Sequence, residues 1–300
     1  MRTATLTVLI AFFISCTTYA QEIDSLQIKI NEIEQSLIYQ TGVVELEEGN
    51  AKLTVPDGFR YLDKQQSIYV TSELWNNPVD SAVLGMLVPS NRGVLDDKGW
   101  AFVITYADIG YVKDDDAADI NYDDLLKEMK EDVDATNTER VKLGFEKVNL
   151  IGWAATPFYD KQLSTLHWAK EVKFGESPSN TLNYNLRILG RKGMYNLNAV
   201  ASMGEMSEVK TNIDKIIRCL EFNEGNKYSD FRVDTDNVAA WTIGGLVAGK
   251  VLAKVGFFAL IAKFWKLIAL ACVSMGAGLL KYFKRRKGEN ETQITTTSTE

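Results

Sequence analysis

Apolar residues along this chain follow three regimes. At the ends they run nearly unbroken, from Leu6 to Ile14 and from Val238 to Phe283, whereas between residues 49 and 222 they alternate with polar residues or recur every third and fourth position. Period two marks half-buried strands, and a period near 3.6 marks amphipathic helices. Alternation predicts strands over Ala51–Val55, Val83–Val88, Trp100–Tyr106, Lys147–Ala155, Leu163–Phe174, Thr181–Leu189, Met194–Ala201 and Cys219–Phe222. Helical spacing predicts helices over Ile23–Leu37, from an Asp63 cap to Trp75, over Tyr122–Leu143, and over Glu205–Arg218. Short, turn-rich separators at 157–160, 175–180 and 190–193 make the four strands from Lys147 to Ala201 an antiparallel meander. The whole predicts an α+β fold, a largely antiparallel sheet flanked by helices.

The ends predict location. Arg2, the apolar Leu6–Ile14 and the small-residue site Thr18-Tyr19-Ala20 form an export signal over residues 1–20. A competing reading takes Phe13-Ile14-Ser15-Cys16 as a lipoprotein box with Cys16 acylated. Near the other end, Val255–Leu280 is long enough to cross a bilayer as one transmembrane helix, although Lys263 and Lys266 interrupt it at a cost. An amphipathic or interfacial helix around Ala239–Ala253 is expected to precede it. A hairpin turning at Lys263 and Lys266 removes the cost but exports the basic cluster Lys281 and Lys284–Lys287, against the positive-inside rule. The favoured organisation is a signal (1–20), a lead-in helix (21–48), an exported α+β domain (49–237), a membrane-anchoring helical region (238–283) and a basic, then disordered, tail (284–300). It places the domain on the periplasmic side of the inner membrane and the tail in the cytoplasm. The expected partners are the membrane itself and a membrane protein or a second copy, since Gly245 and Gly249 form a G-x-x-x-G pair.

Charge sharpens this picture. The net charge is -7, yet residues 1–20 carry +1 and residues 238–300 carry +6, which leaves -14 on residues 21–237. So acidic a domain opposes phosphate backbones, and nucleic acid is excluded as an expected partner. Cys219 is the one cysteine between the apolar ends and reads as a buried structural thiol, with no histidine beside it. A single histidine rules out a histidine-rich zinc site, and no cofactor pattern is present.

Three groups carry candidate chemistry. Asn183, Asn185, Arg187 and Arg191 stand at odd positions on and just beyond a strand, and planar guanidinium donors suit carboxylates or phosphates. Internal pairing of the arginines with the acids of 114–124 is the competing reading. Asp114, Asp116 and Asp119, in that acidic patch, offer oxygens to a hard cation, against the plainer role of stabilising the start of the next helix. His167 is the only residue able to serve a Ser-His-Asp site. The reading is a non-enzymatic binding or scaffold module. Its alternative is a hydrolase or metal-dependent enzyme using His167 or the Asp114–Asp124 patch.

Several blocks resemble a family. Leu84-Gly85-Met86-Leu87-Val88-Pro89, Gly110-Tyr111-Val112-Lys113-Asp114-Asp115-Asp116-Ala117, Gly152-Trp153-Ala154, and Thr181-Leu182-Asn183-Tyr184 with Arg187-Ile188-Leu189-Gly190-Arg191 are similar to domain of unknown function 2167, from about Gly49 to Phe283. The resemblance implies a membrane-anchored protein without an assigned activity and transfers no catalytic residue. Separately, Met194–Ala199, the helix Ile213–Arg218 and Leu220-Glu221-Phe222 look like the closing strand-helix-strand of the PsbP and Mog1 sandwich.

Overall fold

The alternating stretches become strands of a seven-stranded antiparallel sheet in a computed structural model that describes residues 27–96 and 98–250. In chain order the elements begin with helix α1, described over residues 27–36, then β1 (Val43–Leu46), β2 (Ala51–Thr54), β3 (Phe59–Asp63) and α2 (Lys64–Tyr69), which runs into a π-helical turn, Val70–Leu74. After β4 (Val83–Pro89) and β5 (Ala101–Ala107) comes the long helix α3 (Tyr122–Lys142). The meander β6 (Val148–Asp160), β7 (Thr165–Phe174), β8 (Thr181–Leu189) and β9 (Met194–Ser202) leads to α4 (Met206–Cys219), β10 (Leu220–Phe222) and α5 (Ile243–Ala248). The large sheet has the order β3-β4-β5-β9-β8-β7-β6, and β1-β2-β10 form a small second sheet.

The predicted meander is present, and β8 has the expected bounds. Two strands escape the alternation signal. β1 is four residues long and mostly exposed, while β3 is covered on both faces, so its residues do not alternate. β6 runs past the expected end at Ala155 and through Pro157. It is an edge strand, where a missing N–H is tolerated, and three register shifts against β7 absorb the misfit. The turn falls instead at 161–164, where the Asp160 carboxylate accepts from the Gln162 and Leu163 N–H groups.

One face of the large sheet carries the main core. Phe102, Ile104, Leu186 and Leu197 meet Val209, Ile213, Ile216 and Ile217, which repeat at helical spacing along α4, while Leu53 of β2 and Phe222 of β10 close the side. Each such side chain contributes about 1.5–3 kcal/mol on full burial. The opposite face is covered only at its two ends. At one end α2 and its π turn pack over β3 and β4, burying Val70 against Leu62, Met86 and Val88. At the other, α3 lies over β6, where the Asn137 amide exchanges hydrogen bonds of 2.8 Å with both the N–H and the C=O of Val148. Between these covers the central strands β5, β9, β8 and β7 floor a cleft.

The segment after residue 231 differs from expectation. In place of an interfacial helix over Ala239–Ala253 stands α5, six residues long and almost wholly buried against α3. Asp116 accepts from the Ile243 and Gly244 N–H groups at 3.2 and 3.3 Å, and Gly249 ends the helix at φ 74°, a conformation glycine adopts without strain. Lys250 then reaches back to Asp132 and Glu128 of α3 at 2.5 and 3.6 Å. Gly245 is thus buried within α5 and Gly249 is its terminator, so the pair does not form one exposed helix face. Among the described residues no helix is long and apolar enough to cross a membrane. The expected signal with Cys16, the start of the lead-in helix, the Val255–Leu280 span and the tail lie outside the described residues.

Candidate functional site

Strand register builds the cleft floor. Arg187 stands opposite Asn196 and Asn185 opposite Asn198 across β8 and β9, Asn196 faces Thr105 on β5, and Lys170 faces Asn183 on β7. All project from the sheet face that the main core does not use, into a cleft of 1090 Å³. One wall is the π turn and the loop to β4, where Trp75 is fixed by its indole N–H on the Val94 carbonyl at 2.9 Å. The other is α3 with β6, presenting Met129, Val133, Val148 and Leu150.

The floor is held from below and within. The Arg187 guanidinium lies 5.0 Å from the ring centroid of buried Trp168, a cation–π contact, and its one hydrogen bond among the described residues goes to the Leu186 carbonyl. Asn185 donates to the Asn183 amide oxygen at 2.8 Å, and Asn196 donates to the Thr105 hydroxyl at 3.0 Å. The buried amide oxygens of Asn196 and Asn198 have no hydrogen-bond partner among the described residues.

The electrostatics are one-sided. Among the described residues neither Arg187 nor Lys170 forms an ion pair. The carboxylates that line the cleft, Asp80 and Glu146, are both exposed. Burial pushes the Lys170 ammonium down to about 8, with the Arg187 charge adding to the effect. Burial also brings the Arg187 guanidinium down to about 10. Both shifts express the cost of taking cations out of water without counter-charges. Chemically, the arrangement can accept a carboxylate or a phosphate.

The structure brings Asn183, Asn185 and Arg187 together on one face and leaves Arg191 elsewhere. Beyond the β8 terminus, Arg191 makes a two-pronged ion pair with Asp236 at 2.7 and 2.8 Å and donates to the Gly225 carbonyl. Hydrogen bonding from the Arg191 guanidinium holds the Asp236 carboxyl far below its usual range. Neither arginine pairs with the acids of 114–124. Lys170, Asn196 and Asn198 were not among the sequence candidates. Their signal is the hairpin itself: with a turn at 190–193, counting back from Leu189 and forward from Met194 sets Arg187 against Asn196 and Asn185 against Asn198.

The acidic patch takes structural duties. Asp114 accepts from the Tyr159 hydroxyl at 3.1 Å, Asp116 docks α5, and Asp123 and Asp124 occupy the first turn of α3 behind its Asn121 cap. Asp119 is exposed. Among the described residues no group of three or more His, Cys, Asp or Glu side chains gathers to hold a metal ion, and these carboxylates do not converge. His167 lies on the α4 side of the sheet, with its Nδ1 3.1 Å from the Tyr184 hydroxyl and its ring edge-on to Phe158. Burial lowers its pKa, and among the described residues no serine, threonine or cysteine is bonded to it. Cys219 is buried and its thiol is pushed up to about 12 by that burial, which keeps it protonated and unreactive.

Residues 38–277 match the model of the family described as Protein of unknown function (DUF2167), and the chain belongs to that family. No curated protein matches the sequence. Among solved structures, the chain is similar to cyanobacterial PsbP (CyanoP) from Synechocystis sp. PCC 6803, at 9% identity over 62% of this chain and 92% of that one, with a TM-score of 0.35. The Ran-binding protein Mog1p of Saccharomyces cerevisiae is 13% identical over 66% of this chain and 100% of that one, with a TM-score of 0.31. LpqN of Mycobacterium tuberculosis, described as involved in cell envelope biogenesis, is 14% identical over 64% and 95%, also with a TM-score of 0.31.

Proposed function

We propose that this DUF2167 family member is a non-enzymatic binding module, held at the outer face of the inner membrane, whose cleft takes a ligand carboxylate or phosphate between Arg187 and Lys170. One observation carries the reading: two half-buried cations line one cleft with no ion pair to a carboxylate among the described residues, in a domain that carries -14 overall. Buried charge without a counter-charge is costly, and an anionic ligand removes that cost. The Asn183 and Asn185 amides add neutral polar contacts beside the cations. The membrane part of the proposal is supported by the export-signal pattern of residues 1–20, the apolar run Val255–Leu280 and the basic cluster that follows it.

Calorimetric titration of the full-length protein with methyl phosphate and with acetate tests the cleft. Saturable binding is expected, weakened about tenfold or more in Arg187→Gln and in Lys170→Met, the scale of one charge-assisted hydrogen bond. Circular dichroism confirms that each variant is folded. Binding to the wild type that both folded variants retain in full excludes the cleft as the anion site.

A further inference from the structure

We infer that the ligand of this cleft is an anionic amphiphile, a carboxylate or phosphate head bearing a hydrocarbon chain, with the head on the Arg187–Lys170 floor and the chain along the α3–β6 wall. The inference rests on the anion-binding reading above and names its ligand class.

Size argues first. At 1090 Å³ the cleft lies at the upper end of small-molecule sites, and an inorganic anion fills a small part of such a space. The chemistry of the remainder argues second. On the side of Lys170, Val172 is paired with Leu150, and Phe174 with Val148, so two cross-strand apolar pairs continue the floor toward the sheet edge. Above them Met129 and Val133, one helical turn apart on α3, face the same space. Apart from Arg140 and the exposed Glu146, which also line the space, this wall is apolar and matches a chain of methylenes. Cations at one end and an apolar wall at the other are complementary to a molecule divided the same way.

The rim argues third, and independently. Two aromatic side chains line the cleft where the α3–β6 turn meets the end of β7: Phe174, 37% exposed, and Phe145. Phe174 is joined to this turn by its pairing with Val148 and by the Gly175 N–H on the Lys147 carbonyl at 2.9 Å. Phe145 and Phe174 form an apolar lip on the cleft. It lies at the end of the apolar wall, where a chain longer than the wall emerges.

Two sources supply this chemistry, a free fatty acid and a phospholipid-derived head, and the test separates them. Full-length protein in phosphatidylcholine nanodiscs, whose lipid head carries no net charge, is titrated with methyl phosphate and then with hexyl phosphate. Each buried methylene contributes about 0.8 kcal/mol, so hexyl phosphate is expected to bind at least about tenfold tighter. Val133→Ser, at a half-buried helix position that lines the cleft, should pull the ratio of the two affinities toward one, with circular dichroism confirming that the variant is folded. Hexanoate in place of hexyl phosphate then reports the head: the tighter of the two names the source, and either result sustains the class. Equal, Arg187-dependent binding of methyl and hexyl phosphate overturns the amphiphile and leaves the anion site standing. Failure of both to bind overturns both readings.

Discussion

Lys170 concentrates the chemistry of the cleft in one titratable group. Burial first and the Arg187 charge second push its ammonium down to about 8. Arg187 and Arg140, with the exposed carboxylates Asp80 and Glu146, are the other charged groups lining the space. A bound anion favours the charged amine, so affinity for methyl phosphate should be level below about pH 8 and fall above it. Lys170→Arg, which stays charged throughout, should flatten that fall, and a wild-type affinity unchanged up to pH 9.5 would contradict the role given to Lys170. The same shift has an opposite sign for stability: a lysine depressed in the folded state binds fewer protons than in the unfolded chain from about pH 8 up to its ordinary value near 10.4, so its contribution to stability rises with pH in that window. At this scale the sequence was informative about half of the site. Alternation alone puts Asn183, Asn185 and Arg187 on one face, because side-chain direction within a strand is local. Lys170, Asn196 and Asn198 join them only through strand pairing, which no single strand encodes. Arg191 looked equivalent by its odd number, but the chain leaves the strand at Leu189, and Asp236, forty-five residues further on, claims it.

Elements show the same division between local and distant causes. α4 and α3 were legible because their periodicity is written in nearby residues: Leu125 and Met129 along α3, and isoleucines at three- and four-residue steps along α4. β3 was not, since a strand buried on both faces loses its alternation. The apolar run after Val238 promised an interfacial helix, yet its first turns are buried by α3 and by a loop over a hundred residues earlier. Asp116 is the key residue of that docking, because its carboxylate receives two backbone N–H groups at the start of α5. Asp116→Ala should therefore cost about 1–2 kcal/mol of local stability. Hydrogen exchange reads this directly: amides of 243–248 should exchange roughly tenfold faster in the variant while those of β8 and β9 keep their protection. Unchanged protection in α5 would show that apolar burial of Ile243, Leu246 and Val247 suffices.

At the scale of the molecule, the cleft is a consequence of uneven covering. A seven-stranded sheet with α4 and a small second sheet on one face satisfies its core there. Its other face receives α2 at one end and α3 at the other, and the central strands between them carry amides and cations in place of core residues. Amides and cations set among the apolar side chains of four adjacent strands are a costly choice for a face half-shielded from water, and they mark it as a site. The proposed ligand and the uncovered centre explain each other. The most direct measurement is a crystal structure of the protein soaked with hexyl phosphate. Phosphate oxygens are expected about 3 Å from the Arg187 guanidinium and the Lys170 ammonium, with the alkyl chain running past Val172 toward Phe174. Phosphate found only on exposed surface lysines, with Arg187 and Lys170 left uncontacted, would contradict it.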